Sequence, residues 1–119
     1  MNNYEKFRQL HYGQRPVIIA NAWNVKSAQL IEQNGFDAIG TSSGAISNSM
    51  GYEDGEKIPF SEVFYIIKRI KAVTNIPLTV DMERGYTDDL MNFGTISSAW
   101  LILVFPVLTL RMHRVRKFI

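Results

Sequence analysis

Apolar residues recur along this chain with two different periods. Residues 4–12 (YEKFRQLHY) place Tyr4, Phe7 and Leu10 on one side of a short helix, which Gly13 and Pro16 end. The run VIIA at 17–20 is β-branched and continuous, the pattern of a buried strand. Asn24 then stands where a helix cap belongs, and Val25, Ala28, Leu30 and Ile31 form the apolar side of a helix reaching about Asn34. Gly35 occupies the position at which helices turn left-handed and stop. FDAIG at 36–40 predicts a second strand, and PLTVD at 77–81 a third. Between them Phe60, Val63, Phe64, Ile67 and Ile70 repeat at intervals of three and four, predicting a helix over 60–73 with Lys68, Arg69 and Lys71 on its other side. The stretch from Thr41 to Lys57 is polar, rich in glycine and serine, and too long for a simple turn.

Strands alternating with helices define an α/β chain with a parallel sheet and right-handed crossovers. A doubly wound sheet and an eight-fold barrel both fit three such strands. ANAWNVKSA after the first strand has no glycine-rich dinucleotide fingerprint, and no GxxxxGK[ST] loop occurs. No internal repeat interrupts the order.

Composition changes this picture in two ways. With 119 residues the chain is one small domain at most. The absence of cysteine rules out a disulfide framework, a thiolate metal site and a cysteine nucleophile, and it fits a reducing, cytoplasmic setting. The net charge of +2 is uneven: Arg111, Arg114, Arg116 and Lys117 crowd the end, while the last acid is Asp89. The body is therefore slightly acidic, and no nucleic-acid partner is expected.

The strongest chemical feature is VDMERGY at 80–86. Asp81 ends a strand and Glu83 follows two residues later, so a continuing extended backbone turns both carboxylates the same way. Two hard oxygen ligands at a strand's C-terminal end suit Mg²⁺, and in parallel α/β folds that end carries the active site. The same pair also reads as a loop cap at Asp81 and a solvent ion pair between Glu83 and Arg84 or a lysine. Ser42, Ser43 and Gly44 follow the second strand, where small residues admit an anionic ligand to backbone N–H groups; taken alone, an ordinary flexible loop explains them slightly better. Asp54-Gly55 has the form of a tight turn. Trp23 lies just past the first strand, against the pocket or in the core. His11 and His113 have no acid and nucleophile beside them in sequence, which argues against a Ser–His–Asp arrangement.

AWNVKSAQLIEQNGFDAIGTSSGAISNSMGYEDGE followed by PLTVDMERGY resembles the isocitrate lyase/phosphoenolpyruvate mutase superfamily, over roughly residues 4–89. The resemblance is to its carboxyvinyl-carboxyphosphonate phosphorylmutase-like members. It implies the N-terminal portion of an (α/β)₈ TIM-type barrel and a Mg²⁺-dependent lyase or mutase. Such enzymes make or break a C–C or P–C bond next to an α-oxo-carboxylate through a metal-stabilised enolate. It implies further that Asp81 is a metal ligand, that Glu83 stands where many members have a water-bridged aspartate, and that Ser42, Ser43 and Gly44 bind the substrate, with Asp54 and Trp23 on the substrate side. The family's catalytic lysine loop, its carboxylate-binding arginine and a further metal-site acid have no counterpart in these residues, so the chain is expected to be inactive alone. Full-length members are oligomers.

Beyond Asp89 the resemblance stops, dividing the chain into a partial barrel (1–89) and an apolar, basic tail (90–119). Residues 93–110 carry no charge and RMHRVRK follows them, which meets the lower limit for a membrane span with a positive flank. A buried apolar segment is a second reading. A frameshift or truncation that replaces a family helix and strand is a third, and the abrupt end of the pattern favours it. A small membrane-associated or partner-binding protein is the alternative function.

Overall fold

The computed structural model describes residues 2–86, Thr95, Ser98 and the strand Val107–Thr109. Helix α1 (Asn3–Leu10) begins at Asn2, whose side chain accepts from the Glu5 N–H at 2.8 Å, and it buries Phe7. His11 beyond it is exposed, its ring nitrogen 2.7 Å from the Phe7 carbonyl oxygen. The following segment is pinned by the Arg15 guanidinium to the Asp37 carboxylate, which also accepts from the Ile18 N–H at 2.8 Å.

Strand β1 (Ile19–Ala22) starts two residues later than its apolar run suggests, because Asp37 already holds the Ile18 N–H. Nor is the run buried: Ile18 and Ile19 are 53% and 39% exposed. A continuous apolar strand was expected to be buried, but among the described residues β1 stands at the edge of the sheet. Helix α2 (Val25–Gln33) has the expected cap, with Ser27 N–H donating to Asn24 Oδ1 at 2.8 Å and Asn24 N–H donating to Ser27 Oγ at 3.2 Å. Gly35 leaves it at φ 76°. Leu30 departs from its expected place in the apolar stripe and is largely exposed, while Ser27, Ala28 and Ile31 are buried.

Strand β2 (Ala38–Thr41) is buried throughout. The polar stretch after it is not all loop: Ser43–Ser49 forms helix α3, capped by Ser42 Oγ accepting from the Ala45 N–H at 3.3 Å. Its Ile46 and Ser47 are buried. Helix α4 (Phe60–Val73) follows Pro59 and buries Val63, Ile67 and Ile70, as its spacing requires. Glu32 of α2 then accepts from the N–H groups of Asn75 and Ile76 at 2.6 and 3.1 Å, fixing the entry to β3 (Leu78–Asp81).

A fourth strand, β4 (Val107–Thr109), pairs in parallel with β3, Thr79 opposite Val107 and Asp81 opposite Thr109. The sheet order is β1-β2-β3-β4, every pair parallel. The three strands expected from the sequence are therefore joined by one from the apolar tail. The remainder of 93–110 lies almost wholly outside the described residues, among which no helix is long and apolar enough to cross a membrane.

Ile39, Leu78 and Val80 pack with Ala28, Ile31, Ile67 and Ile70 into one core on the helix side. The other side carries Ile19, Asn21, Gly40, Thr79 and Asp81, which line a cavity. There Gly40 makes room: a Cβ on it would lie 2.9 Å from Asn21 Oδ1 and 3.2 Å from Ile19 Cγ2. Gly40→Val is therefore expected to cost about 1–3 kcal/mol by overpacking, read as a lower urea midpoint with an unchanged slope. An unchanged midpoint would show that β1 and β2 are not so close.

Candidate active site at the strand C-termini

The parallel order brings the ends of β2 and β3 side by side, and the chain leaves each in a different way. After β2 it turns at once into α3, setting Ser42, Ser43 and Gly44 at that helix's start. After β3 it sends Met82 into the core and then turns left-handed at Glu83, φ 48°. Strand alternation thus does not carry Glu83 to the site. The turn does, and the extended path assumed from spacing is corrected accordingly.

Asp81 is held from three directions. Its N–H donates to Thr41 Oγ1 at 2.9 Å, Ser43 Oγ donates to its Oδ2 at 3.3 Å, and the Glu83 N–H donates to its Oδ1 at 2.9 Å. The capping role and the inward-facing role of this carboxylate are thus filled together. Glu83 is only 6% exposed, which excludes the solvent ion pair. Arg84 turns instead to Glu56, Nε to carboxylate 3.9 Å. Burial pushes the Glu83 carboxyl above the usual range. A hydrogen bond from Ser43 opposes this, while Asp54, through a hydrogen bond and its charge, and the charge of Glu56 add to it.

Asp54 reaches the cluster because Gly44 has no side chain: a Cβ there would stand 3.3 Å from Asp54 Oδ2. Its other oxygen accepts from the Gly55 N–H at 2.9 Å, the tight turn expected from sequence. Glu56 is a residue the sequence reading missed. Its Oε1 accepts from the N–H groups of Arg84 and Tyr86 at 2.7 and 3.1 Å, clamping the turn that carries Glu83. The signal available was a third acid in GYEDGE. Tyr86 packs against Phe60 with ring centroids 6.1 Å apart, and burial among these carboxylates pushes its phenol far up.

Ser42, Ser43, Gly44, Asp54, Asp81 and Glu83 therefore converge. Trp23 does not line the cavity at Asp81; it is 42% exposed, and its backbone N–H donates to Ser27 Oγ at 3.1 Å. That cavity, about 290 Å³, is lined by Ile19, Asn21, Gly40, Thr41, Ser42, Thr79 and Asp81. A larger one of about 540 Å³ lies by α1 and the entries to the strands, among Leu10, Val17, Phe36 and Ile76, and touches none of the clustered carboxylates. Among the described residues no three His, Cys, Asp or Glu side chains already converge as a metal cage.

Because Glu83 is buried beside Asp54 and Glu56, folding without a metal opposes its ionisation. Its folded pKa lies above the unfolded one, so the folded chain loses stability as pH rises from the ordinary carboxylate range through the raised value. Glu83→Gln is expected to remove that loss and to raise the melting temperature of the metal-free chain at pH 7, with little change near pH 4. A variant that melts lower at both pH values would show that the ionised carboxylate is supported rather than penalised.

A parallel sheet with helices packed on it, in the order β1-β2-β3-β4, has the architecture of the N-terminal part of a TIM-type (α/β)₈ barrel. The family model described as phosphoenolpyruvate phosphomutase matches residues 7–100, and the chain belongs to that family. An uncharacterised protein of Mycobacterium tuberculosis is 35% identical over 83 residues, covering 70% of this chain and 32% of its own length. The 2-methylisocitrate lyase of Shewanella oneidensis is 32% identical over 82 residues, 68% of this chain and 28% of the lyase. A phosphonopyruvate hydrolase solved with oxalate and Mg²⁺ superposes with a TM-score of 0.86 at 21% identity, over 98% of this chain and 41% of that one, and shows the shared fold. The chain spans about a third of the length of the curated relatives it matches.

Proposed function

We propose that this chain carries the metal- and substrate-binding rim of a Mg²⁺-dependent lyase or mutase acting on a small α-oxo-carboxylate. The observation that carries this reading is the buried Glu83 carboxyl set beside Asp54, with Asp81 and the Ser43 hydroxyl in hydrogen-bond contact at the same strand ends. A group of oxygen donors with excess negative charge suits a hard divalent cation. Asp81 would hold the metal directly, and Glu83 would do so directly or through water. Bound there, Mg²⁺ supplies a Lewis acid that offsets negative charge on the oxo-acid's oxygen. The protein's own part is to orient: Thr41 and Ser43 fix Asp81, Glu56 fixes the turn bearing Glu83, and Ser42 to Gly44 offer hydroxyl and backbone donors to a carboxylate. Asp54 borders the substrate side through the opening that Gly44 leaves.

Calorimetric titration tests the reading. Mg²⁺ is expected to bind saturably, and oxalate, a stable oxo-acid mimic, to bind only once Mg²⁺ is present. Oxalate binding of equal strength without the metal would overturn it. The lysine loop and the arginine that the family resemblance assigns to proton transfer and carboxylate anchoring are not found within these residues. The 119-residue chain alone is accordingly expected to turn over neither phosphonopyruvate nor oxaloacetate in a pyruvate-coupled assay. Robust turnover would show that the residues named here are sufficient.

A further inference from the structure

We propose that Glu56 is a positioning residue that sets the Mg²⁺ affinity of the site, its side chain acting as a hydrogen-bond acceptor that keeps the Glu83 carboxylate in place. The proposal rests on the metal reading of the acidic cluster and adds how Glu83 is held there. Among the described residues, the non-glycine positions with left-handed backbones are Glu56, Glu83 and Tyr86, at φ 63°, 48° and 62°. All three belong to one clamp, in which the side chain of the first bonds the turn that contains the other two. A left-handed L residue is strained, and it persists where its surroundings over-determine it.

Each N–H group from Glu83 to Tyr86 has a partner. The Gly85 N–H donates to Met82 O at 2.7 Å and closes a four-residue turn. Glu83 is the first central residue of that turn, a place glycine ordinarily takes when φ is positive. Its own N–H goes to Asp81 Oδ1. The N–H groups of Arg84 and Tyr86 are left over by the turn's internal bond, and the single oxygen Glu56 Oε1 accepts both, at 2.7 and 3.1 Å. The Glu56 side chain is mostly buried, so water competes little for these bonds. Its Oε2 lies 3.9 Å from Nε of an arginine that is half exposed, so the ion pair with Arg84 adds little. What counts at Glu56 is therefore reach and not charge. The reach comes from the backbone: Gly55 and Glu56 are left-handed in succession, at φ 96° and 63°. One short loop thus lays Asp54 against Gly44 and sends Glu56 to the turn. Without the clamp the turn can relax to an ordinary backbone, which carries the Glu83 carboxylate away from Asp81.

Two conservative variants separate reach from charge. Glu56→Gln keeps an acceptor oxygen at the same distance and loses the charge, whereas Glu56→Asp keeps the charge and falls one methylene short. In calorimetric titration Glu56→Asp is expected to weaken Mg²⁺ binding about tenfold or more, as loss of an orienting partner does, and Glu56→Gln less than about threefold. In the metal-free chain the Arg84 and Tyr86 amides should exchange with deuterium slowly in the parent and in Glu56→Gln, and much faster in Glu56→Asp. Equal losses of affinity in the two variants, a larger loss in Glu56→Gln, or no loss in either overturns the proposal. Arg84 and Tyr86 amides that exchange alike in all three chains overturn it too. A parent chain that binds no Mg²⁺ removes the metal reading, and this proposal with it, while the exchange pattern still shows whether the clamp exists.

Discussion

Asp81→Ala is expected to abolish Mg²⁺ binding in calorimetric titration while leaving the far-ultraviolet circular dichroism unchanged. Asp81 ends a strand whose other face is locked into the core by Leu78 and Val80, so the loss of one inward-facing carboxylate leaves the strand in place. What disappears is the one clustered acid whose position is set by three hydrogen bonds, to Thr41, Ser43 and Glu83. Glu83 and Asp54 alone would be left to attract a cation, with Glu83 disposed by burial to keep its proton. Ser43→Ala should act more mildly. It removes the donor that orients Asp81 Oδ2, and loss of such an orienting partner weakens metal affinity by about 10–100-fold. Unchanged binding in Asp81→Ala would remove this residue as a ligand, whatever happens at Ser43.

These expectations show which parts of the molecule local sequence could express. Asn24 and Gly35 bracket α2 as read, because a cap and a left-handed stop act within one helical turn. The spacing of Val63, Ile67 and Ile70 did the same for α4. Helix α3 was hidden because glycine and serines are weak helix formers. Its support comes from afar: burial of Ile46, and Asp54 lying against Gly44. The site divides likewise. That Asp81 and the serines meet followed from parallel strand order, whereas the path of Glu83 did not. Its left-handed backbone depends on Glu56, placed 27 residues earlier in sequence and brought near by the fold. The strand in the apolar tail was not anticipated, since nothing local distinguishes VLT from the uncharged run around it.

The core makes the second large prediction. Ile39 sits on the inner strand β2, opposite Leu78, with no exposed surface, and packs among Ile31, Ile67 and Ile70. Truncating it removes three carbon atoms from a region that helices close on one side and neighbouring strands on both edges, so little can move in to fill the space. Ile39→Ala is expected to cost about 2–5 kcal/mol. Small domains are stable by only about 5–15 kcal/mol. A chain of 119 residues belongs near the lower end, so the variant should lose most of its cooperative urea transition. Leu30→Ala provides the contrast: the sequence pattern assigns Leu30 to the same apolar stripe, but the side chain is 46% exposed. Its change should stay within about 0.5 kcal/mol, as for other surface positions. Equal losses at the two sites would mean that α2 is rotated on the sheet, turning Leu30 toward β2. A larger loss at Ile39 fixes the face of α2 that covers the strands and, through them, the direction in which Asp81 points.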